Sequence, residues 1–397
     1  MKKKILISGS YGTGNVGDEV ILERLLQQFS GHDLTVLSQG CSYTKKFFQG
    51  IEVIDQTPSW RPIRILKDIV KCRFSQIRSR INFLNALRRA DVFVVGGGGL
   101  FAELVPQVLE FYLHQIKWAK FLGTKVLVLG VGVGPLRTSK GKANLGRTFN
   151  RCVSGVLVRD EQSFDNLMSV GVDVKVNVCP DFAFLGKQHE SEKVTVDSRK
   201  KKVILNLYSV FSDSSIWENA EIRHESFVDT MNKTIDYLLK ENFEVELLPF
   251  GTKSDLDFCK KLAARFTGDI SVFEGVDYKS IQERFIGAYF SISMRFHAGV
   301  LSFLHGTPSL CIDQQFKSER LLMDMNLGNL LLSLPDGFHK KGSEDLEIDS
   351  VLKAIEDLID NRMSTMDVAA RYYEKKRGEA QKLLDSFLIE HDLRSGK

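Results

Sequence analysis

Metal-ligand spacing is missing from this 397-residue sequence: its six cysteines (Cys41, Cys72, Cys152, Cys179, Cys259 and Cys311) lie far apart with no CxxC. That scatter argues against a zinc ribbon or a disulfide framework and fits reduced thiols in a cytoplasmic protein. No apolar run approaches the ~20 residues that a membrane-crossing helix needs. The start, Met1-Lys-Lys-Lys-Ile-Leu-Ile7, has the charge of a signal peptide, but its apolar stretch breaks at Ser8-Gly9 with no small-residue cleavage site after it. Short-period repeats and low-complexity segments are also missing. The net charge of +4 is too mild to point to nucleic acid.

What is present is an α/β rhythm long enough for two domains. Lys4–Ser8 reads as a strand, Gly9-Ser-Tyr-Gly-Thr-Gly-Asn-Val-Gly17 as a loop, and Asp18 onward as a helix with Ile21, Leu22, Leu25, Leu26 and Phe29 on one face. Strand, glycine-rich loop and helix form a phosphate or sugar cradle. The spacing is not GxGxxG and no Lys-Ser/Thr follows, so neither a dinucleotide fingerprint nor a P-loop is present. Asp18-Glu19 equally suits the dipole of the helix. Two more strands end in glycines, Ala90–Val95 into Gly96-Gly-Gly-Gly99 and Lys125–Gly130 into Gly130-Val-Gly-Val-Gly-Pro135. Such glycines let a backbone approach a ligand or a neighbouring helix. Three such ends predict a doubly wound parallel sheet with its ligand edge at the strand C-termini.

Residues 186–202 turn polar and predict a linker, after which the alternation resumes with strand Val203–Leu207, helix Glu225–Glu241 and strand Glu244–Pro249. Asp255 and Asp257 make a DxD pair at the start of a helix, where capping outweighs metal binding. The richest stretch is Ser293-Met-Arg-Phe-His-Ala298, a strand end followed by an apolar helix that Gly306-Thr-Pro308 stops. Arg295 offers a planar fork for phosphate or carboxylate, and His297 can move a proton near neutral pH. Alternatively, both only cap and pad the helix start.

One segment stands apart. Across residues 61–89, Arg61, Arg64, Lys67, Lys71, Arg73, Arg78, Arg80, Arg88 and Arg89 meet a single acid, Asp68, while Leu66, Ile69, Val70, Phe74, Ile77, Ile81 and Leu84 recur at helical spacing. This is either a helix covering its own domain with a solvated basic face, or one that lies on an anionic membrane.

Six motifs in order resemble the polysaccharide pyruvyl transferase family: Gly12-Thr-Gly-Asn-Val-Gly-Asp-Glu19, Gly96-Gly-Gly-Gly-Leu-Phe101, Gly132-Val-Gly-Pro-Leu136, Val158-Arg-Asp-Glu-Gln-Ser163, Pro180-Asp-Phe-Ala183 and Arg295-Phe-His-Ala298. The resemblance implies two Rossmann-like lobes with parallel sheets, glycosyltransferase-B-like, with a cleft between them. The lobes would be 1–186 (acceptor side) and 203–347 (donor side), joined by linker 187–202, with helices of 348–397 packing across both. It implies transfer of a pyruvyl group from phosphoenolpyruvate to hydroxyls of a sugar in cell-surface (capsule, exopolysaccharide or cell-wall) polysaccharide synthesis. The product would be a ketal, with no cofactor and no metal. A glycosyltransferase using a nucleotide sugar and a non-catalytic sugar-phosphate sensor are the alternatives.

Carried onto this chain, the resemblance makes His297 the acid/base and Arg295 a donor ligand. Lys317, Tyr208 and Asn206 join the donor side, and Tyr11, Gly12, Asn15, Asp18, Gly97, Gly98, Phe101 and Gly132 become acceptor or cleft candidates. The acceptor sugar would be lipid- or nucleotide-linked, with the enzyme cytoplasmic and touching the inner membrane face through 61–89. Where several relatives have an Arg after the first strand of the second lobe, Val203-Ile-Leu-Asn-Leu-Tyr-Ser209 has none; Arg223 or His224 from the following loop is the expected replacement.

Overall fold

The computed structural model describes residues 1–56, 74–103, 106–186, 201–211, 219–313, 317–334 and 346–394. Positions 61–73 of the basic segment and 187–200 of the expected linker lie outside them.

The chain separates into two compact units, Met1–Leu185 with Lys376–Lys397, and Gly186–Lys375. The last long helix, Arg362–Glu390, begins in the second unit and ends in the first.

The first unit holds seven parallel strands in the order β3-β2-β1-β4-β5-β6-β7. They are β1 (Lys4–Ser8), β2 (Asp33–Ser38), β3 (Glu52–Asp55), β4 (Val92–Gly96), β5 (Lys125–Val131), β6 (Gly155–Val158) and β7 (Val176–Val178). Its central strands read as near-continuous apolar runs because helices cover both faces. Residues 92–96 are all buried in β4, and Phe93, Val95, Val126 and Val128 share one core with Phe101, Leu113, Ile116 and Phe149. The helices of this unit include α1 (Val16–Gln28), which the sequence places within two residues of its observed start, α3 (Phe74–Arg89), α4 (Pro106–Phe121), α5 (Ser139–Cys152) and α6 (Glu161–Ser169). The sequence does not reveal α2 (Cys41–Phe47), a short helix with little apolar periodicity.

The second unit repeats the plan with six parallel strands in the order β10-β9-β8-β11-β12-β13. These are β8 (Lys202–Asn206), β9 (Glu244–Leu247), β10 (Ile270–Val272), β11 (Phe290–Ser293), β12 (Ser309–Asp313) and β13 (Leu331–Ser333). Between them come α7 (Ala220–Lys240), α8 (Lys253–Ala263), α9 (Tyr278–Glu283), α10 (Phe296–Leu304) and α11 (Lys317–Asp324). Helices α12 (Ile348–Asp360) and α13 (Arg362–Glu390) close the chain.

In both units the strand order reverses beside the first strand, between β1 and β4 and between β8 and β11. In open α/β sheets the crevice beyond the carboxyl ends at that reversal is where ligands bind. The glycine loop after β1, the glycines after β4, the Tyr208 segment after β8 and Arg295 after β11 therefore share the favoured edge of their own sheets.

Helix α3 shows what the described part of the basic segment does. Phe83, Ala86 and Leu87 are buried, and so is Arg80, which the periodicity placed on the solvated side. Ile81, expected on the apolar face, is exposed together with Phe74. The face that covers the sheet is thus rotated from the one the spacing suggests.

Candidate active site

The second unit carries a cationic group of candidates. Strand β11 ends at Ser293, and Arg295 becomes the N-cap of α10 with extended backbone (φ −88°, ψ 133°); its own side chain does not cap the helix. The guanidinium instead reaches α8, where Asp255 accepts from it through both oxygens: Nη2 lies 2.9 Å from Oδ1 and 2.7 Å from Oδ2, and Nε 3.1 Å from Oδ2. Asp255 does not cap α8, as the sequence suggests; Thr252 does, its hydroxyl accepting from the Asp255 amide. Asp255 is buried, whereas Asp257 is exposed. The other side of the guanidinium lies over the Tyr208 ring, 4.6 Å from its centroid. A planar cation held by a carboxylate at one edge and an aromatic ring at one face has a fixed direction.

Asn206, at the end of β8, is fully committed: its amide donates to Leu248 O and its Oδ1 accepts from the Arg295 amide. It locks three strand ends together rather than presenting a free side chain. His297 lies two residues beyond Arg295 in the first turn of α10, half-buried, its ring edge-on to Phe296 at 5.2 Å. Lys317 opens α11 and is exposed; the amides that follow it, Ser318 and Glu319, donate to Asp313 Oδ2 at the end of β12. Arg223 and His224 lie in the first turn of α7, not in a loop, and His224 packs against Phe258 with ring centroids 6.1 Å apart.

The first unit carries an acidic group of candidates. Around the loop after β1, Glu19 is wholly buried and its Oε1 accepts from the amides of Gly12 (2.8 Å) and Gly14 (3.3 Å). Burial pushes the Glu19 carboxyl up to about 7, the neighbouring Asp18 adds to the rise, and the loop amides oppose it. Asn15 Nδ2 donates to Asp18 Oδ2 at 2.9 Å. Glycine is required at 98, where a Cβ would lie 2.6 Å from Asp18 Oδ1. At 97 a Cβ would meet Ile21 of α1, and at 132 it would meet the Arg159 guanidinium, so these glycines admit the chain's own side chains. Tyr11 and Phe101 are fully buried; the first donates its hydroxyl to Gly96 O and the second packs on Phe149 and Tyr112. Their side chains support the loops from beneath.

Two groups were not singled out in the sequence. Glu103, buried just after β4's glycines, accepts from the amides of Arg137 (2.6 Å) and Thr138 (2.8 Å) and from the Thr138 hydroxyl. Burial pulls its carboxyl upward, but the Thr138 and Arg137 bonds and Lys142 bring it below the ordinary carboxylate range. Arg159, at the end of β6, lies between Asp160 and Asp181. Asp160 also caps α6 by accepting from Ser163 N. Among the described residues no cluster of three His, Cys, Asp or Glu side chains could hold a metal ion. None of the described helices is long and apolar enough to cross a membrane.

Two doubly wound parallel sheets, each with its candidate residues at the reversal of strand order, define a glycosyltransferase-B-like α/β protein. Solved structures agree: a UDP-GlcNAc 2-epimerase from Neisseria meningitidis bound to UDP-GlcNAc superposes with a TM-score of 0.58 at 12% identity, covering 98% of this chain and 100% of that one. MnaA of S. aureus with UDP gives 0.57 at 13% identity (100% and 99% covered). Anabaena HepE with UDP and glucose gives 0.56 at 11% (97% and 99%). At these identities the likeness is one of fold. In sequence, the profile described as Polysaccharide pyruvyl transferase matches residues 15–315. The amylovoran biosynthesis protein AmsJ of Erwinia amylovora is 21% identical over 320 residues, 74% of this chain and 72% of AmsJ. The chain belongs to the polysaccharide pyruvyl transferase family, and is accordingly a transferase that works on a sugar acceptor.

Proposed function

We propose that the chain transfers the pyruvyl group of phosphoenolpyruvate to two hydroxyls of a sugar during cell-surface polysaccharide synthesis, with the second unit taking the donor and the first the acceptor. The observation that carries this reading is Arg295, aimed by Asp255 and Tyr208, with His297 two residues on at the start of α10. A proton added to the methylene carbon of the donor makes C2 electrophilic. One sugar hydroxyl attacks C2, the C2–O bond to phosphate breaks with its electron pair leaving on phosphate, and the second hydroxyl closes the ketal. Of the two hydroxyl protons released, one balances the new methyl group and the other the departing phosphate. His297 is the proton carrier and Arg295 the fixed cation, functions suited to these side chains.

Thermal unfolding with phosphoenolpyruvate, and separately with uridine and guanosine diphosphates, tests the donor. Ligand at ~100 times its dissociation constant adds about 2.7 kcal/mol of stability. A rise with phosphoenolpyruvate that Arg295→Ala abolishes is expected; a rise with a nucleotide alone would turn the reading to a nucleotide-sugar glycosyltransferase.

The acceptor is in this reading lipid-linked. Supporting it, α3 exposes Phe74 and Ile81 beside the exposed Arg78, Arg88 and Arg89, a pattern suited to an anionic bilayer surface. Cosedimentation with anionic vesicles should be lost when the arginines become glutamine, with turnover of a soluble acceptor kept; unchanged sedimentation would remove the membrane from the reading.

A further inference from the structure

Along the first unit's sheet edge, amides of the kind that glycine loops and helix starts offer to a ligand's phosphate are taken by the chain's own carboxyl groups, although Asn15, the N-cap of α1, makes no side-chain bond to its helix. Glu19 Oε1 takes Gly12 N and Gly14 N, the loop curling round it with φ of +79° and +80° at the two glycines. Glu103 takes Arg137 N and Thr138 N, Asp160 takes Ser163 N, and Asp181 takes Ala183 N. Four of the chain's own carboxyl groups thus stand where anions would bind. In the second unit Asp277 takes Ser280 N and Asp313 takes Ser318 N and Glu319 N in the same way, whereas the N-cap of the nine-residue α10 is a cation, Arg295, that gives no side-chain hydrogen bond to its helix.

From the two loop amides that Glu19 takes we infer that Glu19 is a built-in occupant of the glycine loop's anion position, so that the loop's Gly12 and Gly14 amides exclude phosphate and the loop presents Asp18 to the hydroxyls of an uncharged sugar. The inference deepens the proposed function, on which its assignment of the sugar as acceptor rests; the filling of the loop stands on geometry alone. Glu19 Oε2 is buried and makes no hydrogen bond among the described residues, so every loop bond runs through Oε1. A glutamine keeps that oxygen, whereas an alanine removes it. Asp18 adds a second carboxylate beside the first, held by Asn15 and pressed against Gly98. A phosphate brought here would displace one carboxylate and face another, while a sugar hydroxyl can donate to Asp18 at no such cost. Glu19 is on this view a positioning residue that never touches substrate.

The test needs no turnover, which separates its failure from failure of the pyruvyl-transfer reading. Protein labelled at glycine nitrogen is titrated with inorganic pyrophosphate and with formate, and the amide resonances of Gly12, Gly14 and Gly98 are followed. In wild type and Glu19→Gln, neither anion should move Gly12 or Gly14 in a saturable way. In Glu19→Ala, formate should move both saturably and raise the unfolding temperature, because a small carboxylate enters the position that the side chain left. Neutral methyl hexosides should perturb Gly98 or Gly14 in wild type, and Asp18→Asn should diminish that response. Saturable pyrophosphate shifts at Gly12 and Gly14 of the wild type would overturn the inference, as would an alanine variant indifferent to formate. Should the alanine variant not fold, the wild-type pyrophosphate titration decides alone.

Discussion

Arg295 and Asp255 make an unequal pair, and the inequality sets a testable asymmetry. The Asp255 side chain is 4% exposed and the Arg295 side chain 31%. Arg295→Ala strands a carboxylate that water cannot reach, at a cost of about 3–5 kcal/mol for a broken buried pair. Asp255→Ala leaves a guanidinium that can turn to solvent while still lying on Tyr208, and costs about 2 kcal/mol, the worth of hydrogen bonds to a charged group. The double variant removes both charges and should resemble Asp255→Ala, recovering about 1–3 kcal/mol relative to Arg295→Ala alone. Hydrogen exchange over residues 250–300 reads this within the second unit. For phosphoenolpyruvate, Arg295→Ala and the double variant should bind equally weakly. Asp255→Ala should lose about tenfold (~1.4 kcal/mol), because the cation is present but no longer aimed. If Asp255→Ala costs as much stability as Arg295→Ala, or if the double variant costs the sum, the argument from unequal burial is wrong.

Three further outcomes follow from the site. His297→Ala should lower turnover by about 10²-fold or more with donor affinity nearly unchanged, as single-turnover and binding measurements would show. Glu19 has its folded value raised to about 7 from 4.5. Between those values the unfolded chain ionises first, so stability falls as pH rises, by about 3 kcal/mol in all; Glu19→Gln should abolish that slope in hydrogen exchange over residues 1–56 and be the more stable protein at roughly pH 8. Glu103→Ala removes the acceptor for two amides and one hydroxyl and should cost about 3 kcal/mol, with accelerated exchange over residues 131–141; an unchanged exchange pattern would contradict the clamp.

Strands, helices and their parallel order were legible because apolar runs bounded by glycine leave little choice of structure. Lys4–Ser8 coincides with the observed strand, and Lys125–Gly130 stops one residue short of β5. Arg295 and His297 were legible as candidates, a cation and an imidazole at a strand end, and of the two roles open to Arg295 the side-chain cap is not made. The partners of these groups were not legible. Asp255 lies forty positions from Arg295 and reads locally as a helix start; only the sheet, which sets β9 and β11 on either side of β8, brings them together. Glu103 gave no local signal, because its acceptors' donors, Arg137 and Thr138, belong to the next strand's loop. Tyr11 and Phe101 were over-read for the same reason: a loop's neighbourhood in sequence does not say which side of the loop is inside.

The missing arginine after β8 takes on a different meaning in this light. Tyr208 occupies the segment after β8 and supports the Arg295 guanidinium from its face, so this position contributes direction to a cation supplied from β11 instead of supplying a second cation. A donor with about three negative charges would then need its remaining counter-charge from other elements at the same sheet edge, and Arg223 in the first turn of α7 and Lys317 at the start of α11 are placed on elements that begin there. One well-aimed arginine favours orientation of the donor over tight binding. That arrangement suits catalysis, because binding strength shared equally by donor and transition state does not raise the turnover rate.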